Sequence, residues 1–142
     1  MFVVITTIIF TSCAVSKASL ESDTKAKQTT VSSGEALVYI VRPQVTGFAI
    51  RFNVDCDGNH IGTTTAKRFI YTVQKSGMHK ISSHAENTDE LNINLESGKI
   101  YYIEQIPTMG FAMARNVLKI IDATEGKEKL SKCSLSSDCV TK

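Results

Sequence analysis

The dipeptide Asp57-Gly58 constrains the fold of this chain more than any other feature of its sequence. Apolar and polar residues alternate in the segment before it, residues 50–56, as they do in a strand with one buried face. The two central positions of a type I′ turn need positive φ, and aspartate followed by glycine accepts that conformation. The pattern therefore predicts a β-hairpin, with residues 59–63 as the returning strand.

Further strand signals recur along the chain. Residues 37–41 are a continuous apolar run, which predicts a strand covered on both faces. Residues 91–95 alternate between aliphatic side chains and asparagine, which predicts a strand with one exposed face. Turn signals such as Ser-Gly and Asp-Gly separate seven to eight segments of this kind. Short strands at this spacing predict an all-β fold, a small sandwich of two sheets.

The last third of the chain changes pattern. Pro107 and Gly110 are expected to end the strand that begins at residue 100, because proline cannot donate to a sheet. Residues 116–122 predict one more strand. Helix formers with an apolar pair in residues 125–135 predict a short C-terminal helix.

The N-terminus has a different character from the rest of the chain. Residues 2–10 are uncharged and mostly apolar, and Thr11 and Ser12 lead from them to Cys13. The run is too short to span a bilayer, which needs about 20 residues. It resembles a bacterial lipoprotein signal, and this resemblance implies cleavage after residue 12 and a lipid on Cys13. The alternative is a buried first strand with a free thiol at Cys13, since β-branched residues favour strands.

These signals divide the chain into four parts. Residues 1–12 are the signal peptide, and residues 13–34, rich in serine, threonine and lysine, are a lipid-anchored flexible tether. Residues 35–135 form the sandwich domain, and residues 136–142 form a tail. The 16 basic and 14 acidic residues are interspersed and give a net charge of +2, so nucleic acid is not an expected partner.

Residues 54–62 read Val-Asp-Cys-Asp-Gly-Asn-His-Ile-Gly, which resembles the Val-x-Val-Asp-Gly-x-x-Ile-Gly hairpin of PEGA-type domains. A related family of uncharacterised bacterial lipoproteins shares this hairpin. Later motifs of that family are matched by residues 76–79, by residues 98–102, and by Gly126, Leu130 and Cys133. The resemblance covers roughly residues 35 to 135. It implies an immunoglobulin-like or transthyretin-like sandwich in the cell envelope, and it implies no activity.

The location follows from the lipoprotein resemblance. Ala14 stands next to the cysteine, where an aspartate commonly retains such lipoproteins in an inner membrane. The resemblance therefore implies a lipid anchor in the outer membrane, with the domain facing the periplasm or the cell surface.

Residues that could bind a metal or act in catalysis are scattered along the chain. His79 and His84 are separated by an odd number of positions, so on one strand they face opposite sides, and His60 lies beside the hairpin turn. We expect neither a metal site nor a cofactor from this spacing. Cys56 could pair with a histidine as a nucleophile, but its place on the apolar face of its strand predicts a buried, inert thiol.

The three cysteines after Cys13 raise the question of a disulfide. Export makes disulfides possible, and an odd number leaves at least one thiol unpaired. We predict a Cys133–Cys139 disulfide, with Cys56 reduced in the core. The alternative is that Cys133 lies on a helix and points away from Cys139 as a buried thiol.

The segment 108–114 is the best candidate for a binding surface. It is an apolar loop interrupted by glycine and carries Met109, Phe111 and Met113. Methionine adapts readily to different partners. The alternative is a bulged edge strand that packs on the sheet.

Taken together, the patterns predict a non-enzymatic, lipid-anchored envelope protein with a binding or scaffolding domain. Its partner would be an envelope protein or a glycan. Two alternatives belong to other classes: an envelope hydrolase with a site assembled from scattered residues, and a carrier that holds a small apolar ligand in a cavity between the sheets.

Overall fold

The structure, a computed structural model, describes residues 17–110 and 114–140. Within these ranges the elements are α1 (Leu20–Lys27), β1 (Glu35–Arg42), β2 (Phe52–Cys56), β3 (Asn59–Thr64), β4 (Arg68–Lys75), β5 (Gly77–His84), β6 (Thr88–Leu95), β7 (Ile100–Met109), β8 (Ala114–Ile121), α2 (Ala123–Ser131) and β9 (Ser134–Leu135). One sheet has the strand order β8-β7-β1-β4-β9 and the other β3-β2-β5-β6. The predicted all-β sandwich with a short C-terminal helix is confirmed, with nine strands in place of seven to eight.

Strand β1 is the centre of the fold. It pairs antiparallel with β4 and parallel with β7, and residues 36–42 are all buried. Val38 and Ile40 pack towards the four-stranded sheet, whereas Tyr39 and Val41 pack towards the helices. The prediction of a strand covered on both faces is therefore confirmed.

Two hydrophobic layers follow from this arrangement. The inner layer lies between the sheets and includes Val54 and Ile81 from the four-stranded sheet. The outer layer lies under the helices, where the ring of Tyr39 stacks on that of Tyr102 with centroids 5.5 Å apart. Tyr101 packs against the inner layer and Tyr102 belongs to the outer one. Neighbouring residues on β7 thus serve different layers, as strand parity requires.

The Asp57-Gly58 hairpin is confirmed. Asp57 has φ 51° and Gly58 has φ 78°, and β2 pairs antiparallel with β3 on either side of them. The register shifts between Val54 and Asp55, which marks a bulge that redirects the end of the strand. The turn places the carboxylate of Asp57 against β5, where it accepts a hydrogen bond from the backbone N–H of Lys80 (2.9 Å).

The predicted flexible tether is wrong for residues 17–34, which lie on the domain. Helix α1 begins after Ser19, whose side chain accepts a hydrogen bond from the N–H of Ser22. The carboxylate of Asp23 accepts from the N–H of Leu135 (2.6 Å), and the carbonyl of Ala26 accepts from the hydroxyl of Tyr39 (2.7 Å). Ala26 is the one buried residue of this helix. Specific hydrogen bonds, rather than an apolar stripe, hold it in place.

The predicted tail is wrong for residues 136–140, and the predicted helix is shorter than expected. Helix α2 ends at Ser131, and β9 then runs parallel to the start of β4. Buried Ser136 donates from its hydroxyl to the carbonyl of Thr63 (2.7 Å), and the N–H of Val140 donates to the carbonyl of Ile61 (3.0 Å). The C-terminal segment therefore crosses from the five-stranded sheet to β3.

The predicted strand end at Pro107 is also wrong, because β7 continues to Met109. The pairing of β7 with β1 stops at Glu104, whereas its pairing with β8 continues to the end. Among the residues that the structure describes, Pro107 therefore has a neighbouring strand on one side only. Proline is tolerated at such positions because no second strand needs its missing N–H.

Gly126 lies where α2 packs directly on β7. A β-carbon at this position would overlap the ring Cγ of Tyr102 and lie 2.5 Å from its Cβ, atoms that cannot swing aside because they are close to the backbone. Alanine favours a helix over glycine by about 1 kcal/mol, but overpacking costs more. We expect Gly126→Ala to lower the free energy of unfolding by about 1–3 kcal/mol in urea denaturation.

The exposed neighbour Lys127 is the matched control for this substitution. Lys127→Ala should change the free energy of unfolding by less than about 0.5 kcal/mol. If Gly126→Ala were as stable as the wild type, the close packing of α2 on Tyr102 would be contradicted.

Candidate functional site

Exposed apolar side chains lie at one end of the five-stranded sheet. Because β1 and β7 run parallel, the segment after β1 and the C-terminal end of β7 lie at the same end. Val45 and Phe48 are 66% and 79% exposed, and Met109 is 93% exposed. We call these three residues the apolar tip. Of the predicted binding surface, Met109 therefore projects into solvent, while Phe111 and Met113 lie outside the described residues.

A buried arginine shapes the loop that carries two of the three tip residues. Arg42 is 0% exposed, and its guanidinium donates to the carbonyls of Ile50 (2.7 Å) and Gly47 (2.9 Å). It also lies over the ring of Phe52, 4.2 Å from the centroid. Burial lowers the pKa of Arg42 to about 10, so the group still carries its charge at neutral pH. Its hydrogen bonds hold residues 43–51 from the inside.

A second buried group holds the same loop from β7. Glu104 is 4% exposed; one carboxylate oxygen accepts from the side-chain amide of Gln44 (2.6 Å) and the other pairs with the ammonium of Lys129 on α2 (2.6 Å). Charge-assisted bonds of this kind are short and directional. Loop, strand and helix are thereby joined, so these bonds hold the loop that carries two of the three tip residues. In the sequence, the indication of these contacts is that Arg42 and Glu104 each directly follow an apolar run.

Two histidines share one carboxylate on the outer face of the four-stranded sheet. Asp55 lies 2.9 Å from Nε2 of His84 and 3.4 Å from Nδ1 of His60. The other nitrogen of His84 is 3.1 Å from the hydroxyl of Thr88. This series of carboxylate, imidazole and hydroxyl resembles the order of a hydrolytic triad. It lies on a sheet surface, however, where the side chain of His84 is 38% exposed, so water has access to a developing charge.

A third histidine lies at the hairpin turn, beside Cys56. Oδ2 of Asp57 is 2.6 Å from Nδ1 of His79 and 3.9 Å from Sγ of Cys56. The backbone N–H of Lys80, and then the His79 side chain, hold the pKa of the Asp57 carboxyl below its usual range. Nε2 of His79 is 2.8 Å from the carbonyl of Lys75. The thiol faces the carboxylate instead of the imidazole, so this is not the order in which histidine activates a cysteine.

The burial of Cys56 is confirmed, since the residue is 2% exposed and belongs to the inner layer. His79 and His84 contact different aspartates, Asp57 and Asp55. What sequence reasoning missed is that the turn brings Asp57 between Cys56 and His79. That contact depends on the pairing of β2 with β5, for which the sequence has no local signal.

A model of the family described as "Protein of unknown function (DUF2846)" matches residues 32–117. The chain belongs to the DUF2846 family. The matched part of this DUF2846 protein runs from before β1 into β8, and so includes both the apolar tip and the hairpin turn. An uncharacterised protein of Haemophilus influenzae is 33% identical over 132 residues, which are 91% of this chain and 79% of the relative. No solved structure matches.

Within the described residues of this DUF2846 protein, neither α1 nor α2 has the length and apolar character that crossing a membrane requires.

The predicted Cys133–Cys139 disulfide is not formed in the structure, where both residues have free thiols. Cys133 is buried in the outer layer under α2. Strand β9 follows it and carries the chain along β4, where the thiol of Cys139 contacts the backbone carbonyl of Tyr71 (3.4 Å). The helix and the short strand thus direct the two side chains to different partners. The alternative expectation, a buried helix-associated Cys133 thiol, describes this arrangement.

Burial raises the pKa of Cys133 to about 11 and also raises that of Cys139, so both thiols are protonated at neutral pH. The thiolate is the reactive form. We expect iodoacetamide to leave both residues unmodified in the native protein at neutral pH and to modify both in concentrated guanidinium chloride without a reductant. Peptide mass spectrometry would measure this. A Cys133–Cys139 peptide that resists alkylation in denaturant would contradict the free thiols.

Proposed function

We propose that this protein is a lipid-anchored component of the bacterial cell envelope whose sandwich is a non-catalytic binding module. The apolar tip is its contact surface. The observation that carries the proposal is the exposure of Phe48, on a loop that buried Arg42 and Glu104 hold in place, and of Met109, at the end of β7 where it pairs with Ala114. Large apolar side chains on a rigid support are typical of protein contact sites.

The anchor in this proposal is a lipid on Cys13, in the outer membrane. Lys17 pairs with Ser136, so at most about 14 Å of chain separates the lipidated residue from the domain. A short connection of this kind would hold the sandwich against the membrane instead of lifting it away. The similarity of residues 54–62 to the PEGA-type hairpin of envelope lipoproteins supports the same location.

The point at which the chain leaves the domain and the apolar tip lie in different places. Lys17 pairs beside β9, at an edge of the five-stranded sheet, whereas the tip lies at the ends of β1 and β7. A domain held by its edge leaves the strand ends accessible. The tip can therefore contact another envelope protein while the lipid anchors this protein in the membrane.

A protein fits the tip better than a glycan does. Methionine and phenylalanine are enriched at protein interfaces, and Val45 adds a further aliphatic side chain to the same end. Sugar recognition needs several polar groups directed at hydroxyls. The polar groups beside the tip, Arg42 and Glu104, are buried and already bonded to the protein itself.

The carrier alternative is less well supported, because side chains fill the space between the sheets. Apolar residues of both sheets form the inner layer there. Towards the tip, the amide of Gln105 donates to the hydroxyl of Ser83 (2.6 Å) and so bridges the two sheets. The hydrolase alternative would use the Asp55, His84 and Thr88 series, in which the side chain of His84 is 38% exposed to solvent.

The anchor is tested by Cys13→Ser. We expect the wild-type protein to fractionate with membranes and to carry an acylated cysteine as its first residue in mass spectrometry, because two or more acyl chains hold a protein stably. The Cys13→Ser variant should lose both properties. Wild-type protein with an unmodified Cys13 thiol would contradict the anchor.

The tip is tested by photo-crosslinking in intact cells, with the anchor retained and a photoreactive amino acid at exposed position 46. We expect a discrete crosslinked protein partner, and we expect Phe48→Ser combined with Met109→Ser to reduce its yield by roughly tenfold or more, as loss of an interface hot spot does. Ile120→Ser, an exposed apolar residue on β8, is the control and should leave the yield unchanged. Absence of a crosslink in the wild type, or equal yields in all variants, would contradict the proposed surface.

A further inference from the structure

We propose that Cys56, Asp57 and His79 form a binding site for Zn²⁺, which we call the turn site. It lies at the end of the sandwich where the β2–β3 turn meets β5. It is separate from the apolar tip and does not depend on the proposed function. No reaction is assigned to it.

Three ligand atoms of the types that zinc prefers converge at this position. Sγ of Cys56, a carboxylate oxygen of Asp57 and a ring nitrogen of His79 all lie within 4.8 Å of one another. Thiolate, imidazole and carboxylate are the three protein ligands of zinc. Two of them are neighbours in sequence, and the third comes from a strand 22 residues further along.

Hydrogen bonds outside the site orient two of the three ligands. Nε2 of His79 lies 2.8 Å from the carbonyl of Lys75, and this contact turns Nδ1 towards Asp57. One oxygen of Asp57 accepts from the N–H of Lys80 (2.9 Å), which leaves the other oxygen for a ligand. Histidines that bind metals usually donate their second N–H to a carbonyl or carboxylate in this way.

The side chains of His79 and Asp57 already direct their ligand atoms at each other. Nδ1 and Oδ2 lie 2.6 Å apart, so a metal ion could bind both atoms after a small separation of the two side chains. A metal ion would also engage the sulfur of Cys56, which lies 3.9 Å from the same oxygen.

Small movements would complete the coordination. Tetrahedral zinc with bonds of about 2.0–2.3 Å holds its ligand atoms about 3.3–3.6 Å apart. The nitrogen–oxygen separation must therefore widen and the sulfur–oxygen separation must shrink slightly. A cavity of about 40 Å³, lined in part by Cys56 and Asp57, adjoins the site and has room for a water molecule as fourth ligand.

The ion can reach the site from solvent. The side chain of Asp57 is 44% exposed and that of His79 is 13% exposed, whereas Cys56 supplies the buried end of the site. Binding would convert the Cys56 thiol to a thiolate and release its proton to solvent. Magnesium and calcium prefer sites made of oxygen atoms, so the mixed sulfur, nitrogen and oxygen set favours zinc over these two ions.

Isothermal titration of the EDTA-treated protein with Zn²⁺ tests the site. We expect one equivalent to bind, and we expect His79→Gln and Cys56→Val each to weaken binding by roughly tenfold or more. Cys56→Val keeps an apolar side chain of suitable size for a buried strand. His84→Gln, a histidine of the same strand that contacts Asp55 instead, is the matched control and should bind as the wild type does.

Titration with Co²⁺ gives a second measurement, because a cobalt–thiolate bond produces sulfur-to-metal charge-transfer absorption in the near ultraviolet. The wild type and His84→Gln should show this band, and Cys56→Val should not. Circular dichroism establishes that each variant is folded before titration. A wild type that binds no stoichiometric Zn²⁺, or binding that His79→Gln and Cys56→Val leave unchanged, would overturn the proposal.

Discussion

The burial of β1 on both faces is the constraint on which the rest of the structure depends. A strand with only one buried face can belong to a two-layer sandwich, but residues 36–42 are inaccessible from either side. The second face therefore requires a cover, and α1 and α2 supply it around Tyr39. Burying a large apolar side chain contributes about 1.5–3 kcal/mol. A continuous run of them thus favours a covered second face, and the hydrogen bonds of Asp23 and Ala26 hold the weakly apolar α1 on it.

Polar groups inside this framework determine where the surface features lie. Arg42 ends β1 without leaving the interior, and its bonds to backbone carbonyls fold the following loop back over Phe52. Glu104 joins the same loop to α2 through Lys129. A buried charge is costly unless its hydrogen-bonding groups are engaged, so these residues favour one loop conformation. The exposed Phe48 is a consequence of that conformation.

The hairpin turn shows how backbone geometry and chemistry are connected. Positive φ at Asp57 and Gly58 lets β2 reverse within two residues. The carboxylate of Asp57, the first residue of this turn, contacts His79 on β5. This contact lies next to Cys56, at the edge of the inner layer. Asp57 therefore serves the turn, the contact between strands and the proposed zinc site.

The sequence by itself determined the strands, the Asp57-Gly58 turn and the sandwich, because alternation, apolar runs and turn residues act over a few neighbouring positions. It also determined that Cys56 is buried, since strand parity places it with Val54. Only the tertiary structure decided that residues 17–34 and 136–140 pack on the domain, because hydrogen bonds such as that from Leu135 to Asp23 hold them. It likewise decided the parallel pairing of β1 with β7 and the meeting of Asp57 with His79. These contacts join residues far apart in the chain, and their energy depends on which strands become neighbours, which no local pattern encodes.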